Sequence, residues 1–327
     1  MRLSLCGEKD TYQIFSLETY SGSLQIFRRL LQKEGQESKS LLVVISLIFT
    51  LFEAAQQYPT RIYESGWAGH LKGALFLMQR QGPAAFQIGG FHAAFKKLRE
   101  MAVLLAFSSR SPLFLAQPEW KEIPWAILEK SPRDRLYDIA TEITTLYSTS
   151  YEHGISQLLV AHRVYLKLVA WRKEWLSIEF PSLPSSCQGC LGQECNCTEY
   201  IHVSIFPSND FTFLMTECTA MLLMVTYMTL EMITSSRMDP LKENKIPDEC
   251  LRIEVIQYRA LKLRRFLKET LTLPCFGQAI SDCPGITEGR CRALFPIWVL
   301  SQEPKEFSAC DSNWWLALSS RVNYGMN

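Results

Sequence analysis

Apolar residues recur at intervals of three and four positions along this chain, and this spacing constrains its fold more than any other feature. Such a period places residues on one face of an α-helix. One long stripe consists of Ile88, Phe91, Phe95, Leu98, Ala102 and Leu105. Two more helices are predicted from Ile253, Ile256, Ala260, Leu263 and Leu267, and from Ile155, Leu159, Leu166, Val169 and Leu176. Because sustained alternation and Asn-Gly or Asp-Gly hairpin turns do not occur, we predict an all-α, bundle-like fold of many helices.

Prolines mark where these helices are expected to end, because a proline disfavours helical backbone in the residue before it. The predicted breaks are Pro59, Gly82-Pro83, Ser111-Pro112, Pro124, Ser131-Pro132, Pro181 to Pro184, Pro240, Pro274 and Pro284. We therefore predict a helical amino-terminal extension over 1–39 and a first helical part over 40–180. A cysteine- and proline-rich loop over 181–209 would separate it from a second helical part of the same domain over 210–327.

Composition excludes some classes of protein. Apolar residues make up 47% of the 327 residues and charged residues 20%, which is typical of a globular chain rather than a disordered one. The formal net charge of +1 does not favour direct nucleic-acid binding by this chain alone. Residues 211–233 are long enough to span a bilayer but include Glu217 and Glu231, so we expect a buried core helix and no membrane segment.

The sharpest chemical candidate is a cluster of four cysteines, Cys187, Cys190, Cys195 and Cys197. Four thiolates can complete a tetrahedral zinc site, and His202 could replace one of them. The second pair is Cys-x-Cys, however, and only four residues separate the two pairs, so one short loop would have to wrap the ion. We favour a cysteine-rich surface loop, assign no metal ligand, and keep zinc binding as the alternative.

Two other groups of residues have a structural and a functional interpretation. His70 lies on the same helical face as Trp67 and Gly73, where Gly73 and Ala74 permit close helix approach. We expect a histidine buried at a helix contact, since the sequence offers it no carboxylate or serine partner. A predicted helix also has a basic face, which we interpret as solvated, with contact to an acidic partner or to phosphate as the alternative; its residues are Arg259, Lys262, Arg264, Arg265 and Lys268.

Signatures of enzymes are not found. The glycines at 66, 69 and 73 follow no strand and make no dinucleotide fingerprint. A Gly-x-Ser-x-Gly nucleophile elbow, a phosphate-binding Gly-Lys-Thr loop and kinase motifs do not occur. We assign no catalytic or cofactor-binding residue and expect a protein that is not an enzyme.

A series of short motifs nevertheless follows a recognisable order. It begins with Trp67-x-x-His70-Leu71-x-Gly73-Ala74, the Gly82-Pro83 turn, Leu98-Arg99, Phe114-Leu115, Trp120, Ile123-Pro124-Trp125, Asp134 and Leu136. It continues with 275–280, Pro284-Gly285, 293–296 and Trp314-Trp315. Over most of the chain this order resembles the fungal-specific transcription factor domain, which lies downstream of a six-cysteine zinc cluster. The resemblance implies a helical region concerned with regulation, dimer contacts or effector response.

The chain departs from that family in one important respect. The family's zinc cluster has six cysteines and a basic run near the amino terminus, whereas the first 186 residues here contain only Cys6. The resemblance therefore implies a nuclear regulatory module that acts through protein partners or self-association, without its own DNA-reading cluster. The alternative is a zinc- or small-molecule-binding helical protein that uses the 187–197 loop.

Overall fold

The helical prediction is confirmed. A computed structural model describes residues 4–32, 39–56, 66–149, 155–179, 208–236, 252–272, 295–300 and 302, and the regular structure in these ranges is all helical. The α-helices are α1 (Ser4–Gln32), α2 (Lys39–Gln56), α3 (Gly66–Gln81), α4 (Gly89–Ser109), α5 (Pro118–Glu122), α6 (Pro132–Thr149), α7 (Ile155–Glu179), α8 (Asn209–Ser236) and α9 (Ile253–Thr272). Short 3₁₀ turns lie at Pro83–Phe86, Phe114–Ala116 and Ile123–Trp125, and residues 295–300 form a further helical segment.

Several helices end where the prolines predicted, whereas the ends of α1 and α6 have no predicted proline break. Helix α3 ends at Gln81, and Gly82 then adopts φ +77°, a backbone angle that residues other than glycine rarely adopt. Helix α6 begins at Pro132, whose missing N–H costs nothing in the first turn. Helices α7, α8 and α9 all end shortly before a predicted proline break. The predicted breaks at Pro59 and Pro284 and the 181–207 part of the predicted loop lie outside the described residues.

Helix α8 is the central helix of the larger core. All residues from 211 to 230 are buried, and α6, α7 and α9 pack against it. Its threonine hydroxyls donate to carbonyl oxygens four residues earlier, as Thr216, Thr219 and Thr226 do at 2.6–2.7 Å, so burial leaves these groups satisfied. The segment Asp210–Ser235 is long and apolar enough to cross a membrane, but its most apolar window is entirely buried among other helices. Core helices commonly pass the same length test.

Helix α4 connects two hydrophobic cores. Phe95, Leu98 and Ala102 belong to a core formed with α2, α3, α5 and the 3₁₀ turns. Val103 and Phe107, further along the same helix, belong to the larger core of α6, α7, α8, α9 and residues 295–300. The larger core therefore combines side chains from both helical parts predicted from the sequence.

Two predicted helical faces need correction. The α4 stripe is buried from Phe95 onward, but Ile88 and Phe91 at its start are exposed. On α7 the predicted face is right only in part. Leu159 and Leu166 are exposed, whereas Leu176 is buried and Ile155 and Val169 pack against the larger core. The α7 face that packs into the core carries Leu158, Ala161, Val164, Leu168 and Trp171. Apolar residues occur on several sides of α7, so their spacing fits more than one face, and contact with α8 decides which one is buried.

Candidate functional site

Several motif residues meet at a buried ionic network between α4 and α6, which we call the Arg99 network. The Arg99 side chain is 3% exposed. Its guanidinium donates to Asp138 Oδ1 at 2.8 Å, to Asp134 Oδ1 at 3.0 Å and to the Asp134 carbonyl at 3.2 Å. Lys96 and Lys130 approach the remaining carboxylate oxygens at 3.2 and 2.5 Å. Each buried charge thus has a partner of opposite sign, as burial requires.

Local sequence places Asp134 where Arg99 can reach it. Ser131 precedes the first turn of α6, and Asp134 is the third residue of that helix. The Asp134 N–H donates to Ser131 Oγ at 3.2 Å, while Ser131 N–H donates to Asp134 Oδ2 at 3.0 Å. This reciprocal pair is a capping box, which fixes both the helix start and the carboxylate. The sequence Ser131-Pro132-Arg133-Asp134 carries that signal, which our sequence analysis missed.

Trp125 covers the network with its ring. The Arg99 guanidinium lies 5.1 Å from the ring centroid, and the ammonium groups of Lys96 and Lys130 lie at 5.7 and 6.0 Å. The edge of His92 packs against the same ring at 4.6 Å, and its Nδ1–H donates to the Phe86 carbonyl at 2.9 Å. Cation–π contact adds to the ion pairs on one side of the site. These side chains contact one another, which indicates a packing role for the Arg99 network, although Arg99 Nε and Trp125 Nε1 are buried without a hydrogen-bond partner among the described residues.

The pKa values of Arg99 and Arg133 agree with a packing role for these charges. Burial lowers the pKa of Arg99 below its usual value, and Asp138 and Asp134 offset part of that effect. For Arg133 burial alone would lower the pKa, but the charges of Glu217 and Glu100 raise it above the usual value. Arg133 Nε lies 3.0 Å from Glu100 Oε1. The charges therefore connect α6 to α4 and α8.

His70 has partners that our sequence analysis did not foresee. Its Nε2 lies 3.2 Å from Glu53 Oε1 on α2 and 3.1 Å from the Tyr20 hydroxyl on α1. Tyr20 donates its proton to Glu53, so the His70 Nε2–H is the donor toward both oxygens. Burial and the Glu53 carboxylate raise the pKa of Tyr20. The expectation that His70 has no carboxylate partner is wrong, since Glu53 is that partner. Tyr20 and Glu53 are 50 and 17 residues away in sequence, so neither is visible as a partner in the local sequence.

The predicted close approach of α2 and α3 is confirmed around His70. Ser46 Oγ on α2 donates to the His70 carbonyl at 3.0 Å, and a Cβ on Gly73 would lie 3.8 Å from Ser46 Oγ. A Cβ on Gly66 would collide with Glu53 Oε2. The cluster of Tyr20, Glu53 and His70 thus ties three helices together. It has groups able to move a proton: Tyr20, His70 and Glu53 Oε1 are hydrogen-bonded to one another, whereas Glu53 Oε2 is buried without a hydrogen-bond partner among the described residues.

A half-open cavity of about 60 Å³ lies at the far end of α4 and α8. Arg110, the non-glycine residue with φ +47° that ends α4, lies against it and donates through Nε to the Tyr147 hydroxyl at 2.9 Å. Apolar and aromatic side chains form most of the remaining wall, with Glu231 at one side; they are Met224, Tyr227, Met228, Trp298 and Val299. The cavity can accept a small apolar group but not a drug-sized ligand.

Cys218 is a free cysteine on α8. It is buried, and burial raises the pKa of its thiol to about 12. The four loop cysteines and His202 lie outside the described residues. Within the described ranges, no three or more His, Cys, Asp and Glu side chains come together as a possible metal site.

Two surfaces complete the candidate sites. The first, which we call the turn patch, consists of the exposed side chains of Ile88, Phe91, Ile123, Ile127 and Leu128. Gln87 Nε2 donates to the Ile123 carbonyl at 3.1 Å, which holds the two segments of the patch together. The second surface is the predicted basic face, which lies on α9. There Arg259 lies 4.4 Å from the Tyr165 ring and Arg265 pairs with Glu269 at 2.8 Å.

Comparison with known proteins does not identify a family for this chain. No protein-family model, curated protein or solved structure matches the chain.

Proposed function

We propose that this chain is the helical regulatory module of a transcription regulator, akin to the fungal-specific transcription factor domain, and that it acts in the nucleus through protein partners or self-association. One observation carries the proposal. Seven residues of the motif series that carries the resemblance pack into one hydrophobic core, and they are Trp67, Leu71, Ala74, Leu98, Leu115, Trp120 and Trp125. Arg99 and Asp134 of the same series form the adjoining ion pair. Because these seven side chains share one core, this part of the series behaves as a packing code for one domain, whereas Leu136 belongs to the larger core and Ile123 is exposed. The members at 275–280, 284–285 and 314–315 lie outside the described residues.

The turn patch supports action through protein contacts. Its five apolar side chains are exposed on two adjoining segments, and Ile127 is 62% exposed. Contiguous exposed apolar surface on a folded domain typically marks a contact with another protein. The turn patch adjoins the rigid Arg99 network, so it is presented with little loss of conformational freedom on binding.

The test is a reporter assay in a fungal host with the chain fused to a heterologous DNA-binding domain. We expect the fusion to change reporter output several-fold relative to the DNA-binding domain alone. A double variant, Ile127→Asp with Leu128→Ser, should lose this effect. The matched control is Ile26→Asp on α1, which alters an equally exposed isoleucine elsewhere and should retain it.

Two outcomes would refute the proposal. One is a fusion, expressed at the same level, that leaves the reporter where the DNA-binding domain alone leaves it. The other is a purified chain that turns over a metabolite. Sedimentation of wild-type and variant protein then separates the two modes of action, since a self-association through the turn patch would disappear in the double variant.

The alternative function is zinc or small-molecule binding. The observation in favour of a small ligand is the cavity beside Tyr147 and Trp298. For zinc, elemental analysis of protein purified without added metal decides the matter. Stoichiometric zinc that is lost when Cys187 and Cys190 are both replaced by serine would support this alternative. Protein purified without any zinc would refute the zinc site.

A further inference from the structure

Positive charge is concentrated on α9. From 252 to 272 the chain has six Lys and Arg residues and two Glu residues, and the basic ones are Arg252, Arg259, Lys262, Arg264, Arg265 and Lys268. The whole chain has a net charge of only +1, so the remainder carries a net negative charge. Such segregation favours an anionic partner at this helix.

The side of α9 away from the core is apolar as well as basic. Of its basic residues Arg252 and Arg265 are exposed, and the other four are half-buried. Ile256, Ala260 and Leu267 pack into the larger core. Val255, Tyr258 and Leu261 are exposed at intervals of three residues, and Arg265 follows Leu261 by one helical turn. We call this surface the α9 ridge. Three exposed apolar side chains bordered by cations form a surface that can complement a partner with both apolar groups and negative charges.

Ring contacts on this surface argue against nucleic acid as the partner. Arg259 covers the Tyr165 ring at 4.4 Å, and Lys262 covers the Tyr258 ring at 4.6 Å. Single-stranded nucleic acid is bound by stacking bases on open aromatic rings, and a cation already covers part of each of these two rings. Duplex phosphates need cations alone and leave Val255 and Leu261 without a role. Carboxylates beside apolar side chains use both features of the α9 ridge.

The ion pair on the α9 ridge can exchange partners. Arg265 Nε and Glu269 Oε1 lie 2.8 Å apart, and the two side chains are 75% and 57% exposed. An exposed pair of this kind contributes little stability, typically about 0.3–0.5 kcal/mol. Exchange of this one ion pair for a carboxylate of a partner therefore loses little stability.

We propose that the α9 ridge binds an acidic amphipathic helix of a protein partner. Apolar side chains of that helix pack on Val255, Tyr258 and Leu261, and its carboxylates pair with Lys262 and Arg265. Amphipathic helices are commonly recognised through apolar anchors at helical spacing. This inference rests on the proposed function in that it names the class of partner, but it concerns a surface separate from the turn patch.

Fluorescence anisotropy with a defined probe tests the proposal. The probe is a fluorescein-labelled synthetic peptide with Asp and Glu on one helical face and Leu and Phe on the other. We expect the full chain to bind it and Arg265→Glu to weaken binding about tenfold. Leu261→Ser should weaken it several-fold without changing its salt dependence. The matched control is Lys72→Glu on α3, an equal charge reversal at an exposed site, which should stay within about twofold of wild type.

Three results would overturn the proposal. The first is no binding by a folded chain, as judged by circular dichroism. The second is equal weakening by Lys72→Glu and Arg265→Glu, or equal binding of a peptide whose Leu and Phe are replaced by Ser, because net charge would then suffice. The third is displacement of the probe by duplex DNA at equal charge concentration. Reporter activity without peptide binding would refute only this inference, whereas peptide binding without reporter activity would refute only the proposed function.

Discussion

Replacement of Arg99 by methionine is the most direct test of the Arg99 network. The change keeps an unbranched apolar chain over Trp125 but removes the charge. It deletes three hydrogen bonds from a charged donor, to Asp138 at 2.8 Å and to Asp134 at 3.0 and 3.2 Å. Bonds to charged groups are worth about 1.5–3 kcal/mol each, but part of that returns because the guanidinium no longer has to be desolvated.

We expect a net loss of about 3–5 kcal/mol in the free energy of unfolding, the range found when one member of a buried pair is removed. Lys96 and Lys130 remain beside the carboxylates and limit the loss to that range. Urea denaturation followed by far-ultraviolet circular dichroism and by tryptophan fluorescence gives the value. A second replacement, Asp138→Asn, should restore part of the stability, so that the two changes couple by about 1 kcal/mol or more.

The control is Lys72→Met on α3. Lys72 is exposed, so its replacement should change the free energy of unfolding by less than about 0.5 kcal/mol. If Arg99→Met also stays within about 0.5 kcal/mol of wild type, the network does not hold α4 to α6 and the reasoning fails.

Three further predictions concern other parts of the fold. Trp67→Ala should cost about 3–5 kcal/mol in the free energy of unfolding, because Trp67 is buried in the smaller core; a change below about 0.5 kcal/mol in urea denaturation would contradict this burial. Glu142 is buried in part, but hydrogen bonds and charges of Lys121 and Lys167 hold its pKa below the usual 4.5. Glu142→Gln should therefore lower the free energy of unfolding by up to about 1 kcal/mol above pH 4.5, and the difference from wild type should vanish as the pH falls through the lowered pKa of Glu142. A difference that persists in acid would argue against the ion pairs. For Cys218, whose thiol pKa is about 12, a serine variant should titrate the same number of thiols as wild type when native and one fewer when denatured; one fewer in the native protein would place Cys218 at the surface.

Helices and their ends were predictable because their causes are local. The period of apolar residues on α4 and α9, the glycine and proline at 82 and 83, and the proline at 132 each act within a few residues. The motif series from Trp67 to Asp134 was also visible in the sequence. Its interpretation as a packing code agrees with the common core that Trp67, Trp120 and Trp125 share.

Contacts between distant residues could not be predicted in the same way. The sequence does not indicate that Arg99 meets residues 35 and 39 positions away, or that His70 meets Tyr20. It also fits more than one buried face of α7, and the face chosen from spacing alone included Leu159 and Leu166, which are exposed. The buried face depends on what α8 presents to it, and no local rule contains that information.

The sequence by itself determined that this protein is helical, where its helices end and which residues form a packing series, because backbone sterics and hydrophobic period are local properties. Only the tertiary structure decided which faces are buried, which charges pair and which apolar and basic side chains remain outside. Burial and pairing are free-energy differences between whole arrangements of helices, so they are fixed only when all the helices are in place.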